Sequence, residues 1–346
     1  MEVVIDCYFD KLFENMQRDY LVSRHKRRQL VKYFSDVINS SAEAENLDTS
    51  DVCERIVMSA LRYHNITMSE NGSVCLLGKF HNVLYVAAKL CYDWNLNNNK
   101  IVTRLLNDIY YCEKTFERIF VGAIFGIRVT HFLSGWKSDF EDREENIRAL
   151  IYFLDHAVIG KLEYTSASSL TKRRFIDVPM ESYGQVLPLR VAIQNGAPDI
   201  LLIMLRYGAS TDSDKLAPSP LEILLTKLNE YDVEKNSSDE GKKIPDNLII
   251  CLRFILRTIP MASVKTPEHI ANSCGVTHVS LYEHYPNLVD RNLVPPERSG
   301  LIPPELRHLC RCSIRQRLFE NWALPHGIKT LHIPRGLQNY LDLMAD

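Results

Sequence analysis

The chain has 346 residues, 46% of them hydrophobic, and is long enough to bury a core as one large unit or as two to three smaller ones. Its formal charge of −2 at pH 7 argues against a nucleic-acid partner, because such partners are held by a strongly basic surface. The nine cysteines are odd in number, irregularly spaced and without a CxxC pair, so they predict neither a disulfide framework nor a zinc or redox site.

The N-terminal region, residues 1–78, is predicted to be helical, because apolar residues recur there at three- and four-residue intervals. Residues 5–40 predict two helices around the basic run 25–28, which is interpreted as a solvated helix face. A further helix is expected over residues 49–64. The chain starts with acidic residues rather than a basic segment, and no apolar run reaches the roughly 18 residues of a membrane span. We therefore expect no membrane partner and a cytoplasmic location, with the nucleus as an alternative.

Residues 187–209 contain the most informative pattern of the chain. Pro188 is suited to begin a helix because its φ is already fixed, and Ala192 lies one turn further on. Gly196 and Gly208 can adopt the positive φ that ends a helix. The pattern therefore predicts two short helices, each closed by a glycine.

This segment resembles one ankyrin repeat over nearly its full length. It has Leu187-Pro188-Leu189-Arg190-x-Ala192 where that family has T-P-L-H-x-A. One repeat cannot bury its own apolar face, so neighbouring repeats are required. The best repeat is placed at 183–214 and the next at 215–260, with weaker helix pairs at 83–88 and 101–106 and at 118–126 and 146–155. The resemblance implies a degenerate ankyrin-repeat stack over residues 79–260, and the alternative is an irregular helical domain with one chance match.

Two stretches of unusual composition follow the best repeat. The insertion at residues 231–243 is polar and charged, which predicts a surface loop. Prolines and glycines cluster in residues 261–302, which predicts an extended connector with little regular structure.

The C-terminal segment, residues 303–346, predicts two short helices with a break at Leu324 and Pro325. On the first helix, five small or apolar residues form a stripe within an arc of about 140°. These residues are Leu306, Leu309, Cys310, Ser313 and Ile314. A separate stripe beside it consists of Arg307, Arg311 and Arg315.

This segment resembles a SOCS box, which the related proteins also carry at the C-terminus. Leu306-x-x-x-Cys310 matches the elongin-binding motif, so the resemblance implies that the five stripe residues bind elongin. The following stretch resembles the cullin-5 motif, with His332 where the family usually has Pro, and that departure leaves the identity of the cullin open. The implied cullin-binding residues are Ile328, Leu331, Ile333, Pro334, Leu337 and Tyr340.

Together the resemblances imply a protein of the ankyrin repeat and SOCS box family. It would be all-α, with an N-terminal helical region, a degenerate ankyrin-repeat stack and a C-terminal SOCS box. Such a protein is a substrate-recognition adaptor of an elongin B/C–cullin-5 ubiquitin ligase. Its partners would be elongin C, elongin B, cullin-5 with a RING protein, and an unidentified protein substrate. The alternatives are a non-catalytic ankyrin scaffold that binds no cullin, and a C-terminal hairpin that merely caps the repeat stack.

No motif of a nucleotide-binding enzyme, metalloprotease or serine hydrolase occurs, so we expect no catalytic residue and no cofactor. We expect His64, His81, His131 and His156 to be structural or surface residues without acidic or thiol partners. No metal site is expected either, because the C-x-C pair at residues 310 and 312 lacks further ligands.

Overall fold

The computed structural model describes residues 21–75, 81–127, 137–165, 171–212, 218–235, 244–264 and 279–346. The chain divides into two compact units, Met1–Val186 and Leu187–Asp346. Most of the described residues are helical, which confirms the predicted all-α class. Within those ranges, no helix is both long enough and apolar enough to cross a membrane.

The described part of the first unit begins with two long helices that pack on each other. Helix α1, Leu21–Glu45, buries Phe34 and Ile38, which lie one turn apart on the same face. Helix α2, Thr49–Glu70, begins after Asp48, whose carboxylate accepts a hydrogen bond from a backbone amide of the first turn. It extends past the C-terminal end that the sequence predicted.

Two helix pairs follow in the described part of the first unit and coincide with the two weaker repeat patterns. They are α3, Asn82–Asp93, with α4, Asn99–Glu113, and α5, Glu117–Phe125, with α6, Arg143–Ile159. The members of each pair pack together, and the second helices α4 and α6 contact one another. That is the arrangement of stacked helical repeats.

The second unit contains the best-defined repeat and its neighbour. Their helices are α7, Pro188–Gln194, and α8, Pro198–Arg206, then α9, Pro220–Lys235, and α10, Asp246–Leu256. First helices pack on first helices and second helices on second helices. Gly196 and Gly208 have φ angles of 62° and 84°, which confirms the predicted helix ends.

Two short hairpins interrupt the helical pattern. Strand β1, Glu163–Thr165, pairs antiparallel with β2, Lys172–Arg174, and β3, Ser263–Val264, pairs antiparallel with β4, Val279–Ser280. The sequence did not predict them, because two or three residues are too few to establish the alternation that identifies a strand.

The predicted connector has more regular structure than its composition suggested. It contains three short helices, α11, Leu281–His284, α12, Pro286–Asp290, and α13, Pro296–Ser299. Prolines occupy the first turn of α12 and α13, so residues interpreted as helix breakers begin helices instead. Residues 265–278 of the connector lie outside the described residues, as do residues 236–243 of the polar insertion. The prediction of a loop is wrong for residues 231–235 of the insertion, which continue α9.

The basic run at residues 25–28 lies within α1, and one of its side chains is buried rather than solvated. Arg27 Nε donates to Asp139 Oδ2 at 2.7 Å, and Arg27 Nη1 donates to Asn82 Oδ1 at 2.6 Å. His25 is exposed, as expected. The interpretation of the whole run as a solvated face is wrong for Arg27, because a buried carboxylate and amide neutralise and satisfy its guanidinium.

The C-terminal box consists of α14, Leu306–Glu320, and α15, Arg335–Leu341, which pack together. Leu324, Ile328 and Leu341 form its buried core. Half-buried residues pack around that core, namely Leu318, Phe319, Leu331 and Ile333. So small a core needs support from elsewhere, and the last helical repeats provide it.

Candidate protein-interaction surface of the C-terminal box

Helix α14 packs its basic face against the rest of the second unit, and its apolar stripe faces solvent. His308, Arg311 and Arg315 are buried. The residues of the predicted apolar stripe are all exposed, namely Leu306, Leu309, Cys310, Ser313 and Ile314. The sequence analysis located both stripes but assigned no role to the arginines. Their four-residue spacing, which places them on one face of a helix, was the signal that could have indicated a buried basic face.

Arg315 anchors α14 through two backbone carbonyls. Its Nη2 donates to the carbonyl oxygen of Leu205 at 2.5 Å, and its Nη1 donates to that of Leu341 at 2.8 Å. These carbonyls belong to the last turns of α8 and α15, where the helix dipole favours a positive charge. Burial lowers the pKa of Arg315 to about 10, so the guanidinium remains charged at neutral pH.

Two further contacts extend this basic face. Arg311 and Arg307 lie over the ring of Tyr340, at 3.6 and 3.9 Å from its centroid. His308 Nε2 donates to the carbonyl oxygen of Ile259 at 2.8 Å. Polar side chains on α14 therefore hold the helix against α15 and against the chain just beyond α10.

The stripe on the other side of α14 is not covered by any of the described residues of the second unit. Leu306 is 76% exposed, and Leu309 and Ile314 are 36% and 39% exposed. The small residues Cys310 and Ser313 lie between them and allow another chain to approach the helix closely. A contiguous apolar patch of this kind marks a site of interaction with another molecule.

A second exposed group lies at and before α15. Leu337 is 41% exposed, and Pro334 and His332 are also exposed. Leu331 and Ile333 are half-buried because they pack on the box core, so part of each remains accessible. Four of the six residues assigned to cullin binding are therefore available to a partner.

The other two residues of that assignment require a correction. Ile328 is 1% exposed within the box core, and Tyr340 is 4% exposed beneath the arginines of α14. Side chains with almost no accessible surface cannot contact a partner directly. They support the fold of the box, and the motif match alone could not distinguish that role from binding.

Ion pairs at the C-terminus attach the box to the last repeat helices. Arg206 at the end of α8 makes two hydrogen bonds with Asp342, at 2.6 and 2.9 Å. Arg257, just after α10, pairs with Asp346 at 2.6 Å. Gly208 leaves space for the box, since a Cβ atom there would lie 2.5 Å from the ring of Phe319. The box and these helices therefore form one packed unit.

In the first unit, the structure corrects the expectation for two histidines. His64 Nε2 lies 3.4 Å from Cys75 Sγ, and His81 Nε2 lies 2.5 Å from Glu113 Oε1. The prediction that these histidines lack thiol and acidic partners is wrong, because the partners come from distant segments. His131 lies outside the described residues.

Comparison with known families identifies the C-terminal module. Residues 302–342 match the SOCS box family model. The helix pairs of the fold precede this match, and the exposed stripe of α14 lies within it. The fold and the exposed surface are those of a chain of stacked helix pairs in which residues 302–342 resemble a SOCS box.

Within the ankyrin repeat and SOCS box family, the Gly327-Ile328 turn and residues 337–341 look like member seventeen. Curated relatives include ankyrin repeat and SOCS box protein 17 of Mus musculus, 34% identical over 161 residues, and of Homo sapiens, 33% identical over 159. Each alignment covers 46% of this chain and 50% of the relative, so the chain spans about half the length of the curated relatives it matches. These findings confirm the predicted resemblance to the family. No solved structure matches the chain.

Proposed function

We propose that the chain is the substrate-recognition adaptor of a SOCS-box ubiquitin ligase. The stripe on α14 binds elongin C, which is joined by elongin B, and the box recruits cullin-5 with its RING protein. The helical repeats hold a target protein. The chain itself then contributes effective concentration and orientation to ubiquitin transfer, and the chemical step belongs to other subunits.

One observation carries this proposal, namely which face of α14 is exposed. A hairpin that only capped the repeats would bury Leu306 and Ile314 and expose the arginines. The opposite arrangement is present, since Leu306 is 76% exposed and Arg315 is 6% exposed. An apolar stripe held outward by buried arginines is suited to bind a partner rather than to close a core.

The geometry of α14 suits an anchored contact. Leu306 lies in the first turn and protrudes, while Cys310 is small and lies one turn further along the same face. Leu306 could therefore enter a pocket of the partner while the backbone near Cys310 lies close to it. Because Arg315 and His308 already fix the helix, binding would require little additional ordering.

The assignment of cullin-5 rests on the resemblance and on the exposed residues before and within α15. Pro334 and Leu337 are exposed and follow α14 in the chain. His332 is exposed in place of the usual Pro. Since its side chain lies on the surface, changing His332→Pro should leave cullin-5 binding equal or stronger.

The elongin contact is tested with the double variant Leu306→Asp and Cys310→Arg in the full chain. Loss of an anchor costs about 2–4 kcal/mol, which corresponds to a roughly 30- to 900-fold weaker elongin affinity. The matched control is Pro334→Ala with Leu337→Asp, which should retain elongin B and C while losing cullin. Binding is measured by calorimetry with purified elongins, and folding by circular dichroism.

Wild-type elongin affinity in a folded Leu306 and Cys310 double variant would refute the assigned surface. If the unmodified chain itself binds no elongin at micromolar concentration, the non-catalytic scaffold becomes the better interpretation.

A further inference from the structure

Two histidines and two cysteines converge in the first unit. His64 lies on α2, Cys75 follows that helix, His81 immediately precedes α3, and Cys112 lies in the last turn of α4. One potential ligand atom from each residue lies within 4.8 Å of all the others. Four separate segments therefore direct donor atoms to one point.

The distances among these atoms are close to those of a tetrahedral metal site. Cys75 Sγ lies 3.4 Å from His64 Nε2 and 3.5 Å from His81 Nδ1. Cys112 Sγ lies 3.5 Å from His64 Nε2. Zinc–nitrogen bonds of about 2.0–2.1 Å and zinc–sulfur bonds of about 2.3 Å, at tetrahedral angles, place such nitrogen and sulfur atoms about 3.5 Å apart.

A buried carboxylate orients one of the histidines. His81 Nε2 donates to Glu113 Oε1 at 2.5 Å, and Tyr85 donates to the same oxygen at 2.8 Å. Arg118 Nη1 lies 3.4 Å from the same oxygen and gives the carboxylate a cationic partner. Because a carboxylate accepts hydrogen bonds, the Nε2 proton of His81 faces Glu113. The lone pair of His81 Nδ1 then points to the sulfur cluster, as in carboxylate–histidine–zinc sites.

The two sulfur atoms are available to a cation. Cys75 and Cys112 are both half-buried and form no disulfide. Thiols bind a metal ion as thiolates, so a divalent cation would displace their protons.

We propose that His64, Cys75, His81 and Cys112 bind one zinc ion as a closed structural site. Two thiolates and two imidazoles at tetrahedral spacing are typical zinc ligands, whereas magnesium and calcium require oxygen donors. The ion would tie α2, α3 and α4 together at the start of the repeat region. His64 and Cys75 also line a surface pocket, which provides an entry path.

The proposal is tested on the full chain purified without chelators. We expect one equivalent of zinc by mass spectrometry, and, after exchange, a cobalt spectrum with tetrahedral visible bands and thiolate charge transfer. Cys75→Ser and Cys112→Ser should lose the zinc. Cys91→Ser is the matched control, because Cys91 is a buried thiol on α3 outside the cluster. It should retain a full equivalent.

Glu113→Gln provides a second variant that preserves all four ligands. Because this variant loses the carboxylate that orients His81, its zinc affinity should be roughly 10- to 100-fold weaker in a competition titration. If a serine variant fails to fold, the cobalt spectrum of the wild-type chain and the zinc affinity of Glu113→Gln still test the proposed site.

A folded wild-type chain that contains no zinc and gives no thiolate–cobalt band overturns the site. A folded Cys75→Ser variant with full zinc content does the same. Neither result bears on elongin binding, so this proposal and the proposed function fail independently.

Discussion

Replacing Arg315 with alanine should weaken the packing of α14 against the rest of the second unit. Arg315 is 6% exposed and donates to the carbonyl oxygens of Leu205 and Leu341 at 2.5 and 2.8 Å. Truncation leaves the carbonyl of Leu341 without this donor, while that of Leu205 keeps the amide of Gly208. The box would then lose a contact that joins α14 to both α8 and α15.

The size of this effect follows from two opposing terms. Each hydrogen bond to a charged group contributes about 1.5–3 kcal/mol, so two contribute roughly 3–6 kcal/mol. Removing the guanidinium also removes the cost of burying its charge, which is several kcal/mol. The carbonyl of Leu341 then remains unsatisfied at about 1–3 kcal/mol, whereas that of Leu205 keeps the amide of Gly208 at 3.0 Å, so we expect a net loss of about 1–3 kcal/mol.

Hydrogen exchange of peptides from α14 measures the free energy of opening this helix separately from the first unit. The matched control is Arg317→Ala on the same helix. The side chain of Arg317 is 83% exposed and pairs only across the surface with Glu320 at 3.2 Å. The control should lose less than about 1 kcal/mol.

Equal losses from Arg315→Ala and Arg317→Ala would refute the reasoning. The basic face of α14 would then not be its buried face, and the apolar stripe would have to be buried in its place. The proposed elongin surface would no longer be accessible.

Two other predictions concern buried ionisable groups. Arg27→Ala should lose about 3–5 kcal/mol of unfolding free energy in urea because it leaves Asp139 buried without its cation, whereas Arg28→Ala, whose ion pair is exposed, should lose less than about 1 kcal/mol. Similar losses in both variants would contradict the buried role of Arg27. Burial lowers the pKa of His308 below its ordinary value of 6.5. As the pH falls below 6.5, the unfolded chain therefore binds more protons than the folded chain, and the free energy of unfolding should decrease. His308→Gln should flatten the pH dependence of the unfolding free energy between about pH 7 and about pH 5. An unchanged slope would contradict the role assigned to His308.

The sequence by itself determined where the two helices of the best-defined repeat begin and end. Pro188 and Gly196 act on their own backbone, through a fixed φ and a permitted positive φ, so their effect is local and readable. The pattern of α14 was readable for the same reason, since periodicity shows which residues share a face. The likeness to a SOCS box also lies in contiguous residues.

The tertiary structure decided which of those faces is buried. A stripe of arginines can be covered only if hydrogen-bond acceptors lie opposite it, and Arg315 finds them in the carbonyls of Leu205 and Leu341, which belong to other parts of the chain. Periodicity contains no information about them. The same holds for Ile328, whose place in the box core depends on Leu341.

The histidine and cysteine cluster shows the same limit. Cys75 and Cys112 have no spacing that signals a metal site, and the ligand atoms meet only because α2, α3 and α4 pack side by side. Local propensities act over a few residues and can be inferred from them. A site assembled from four segments exists only once packing has fixed their distances.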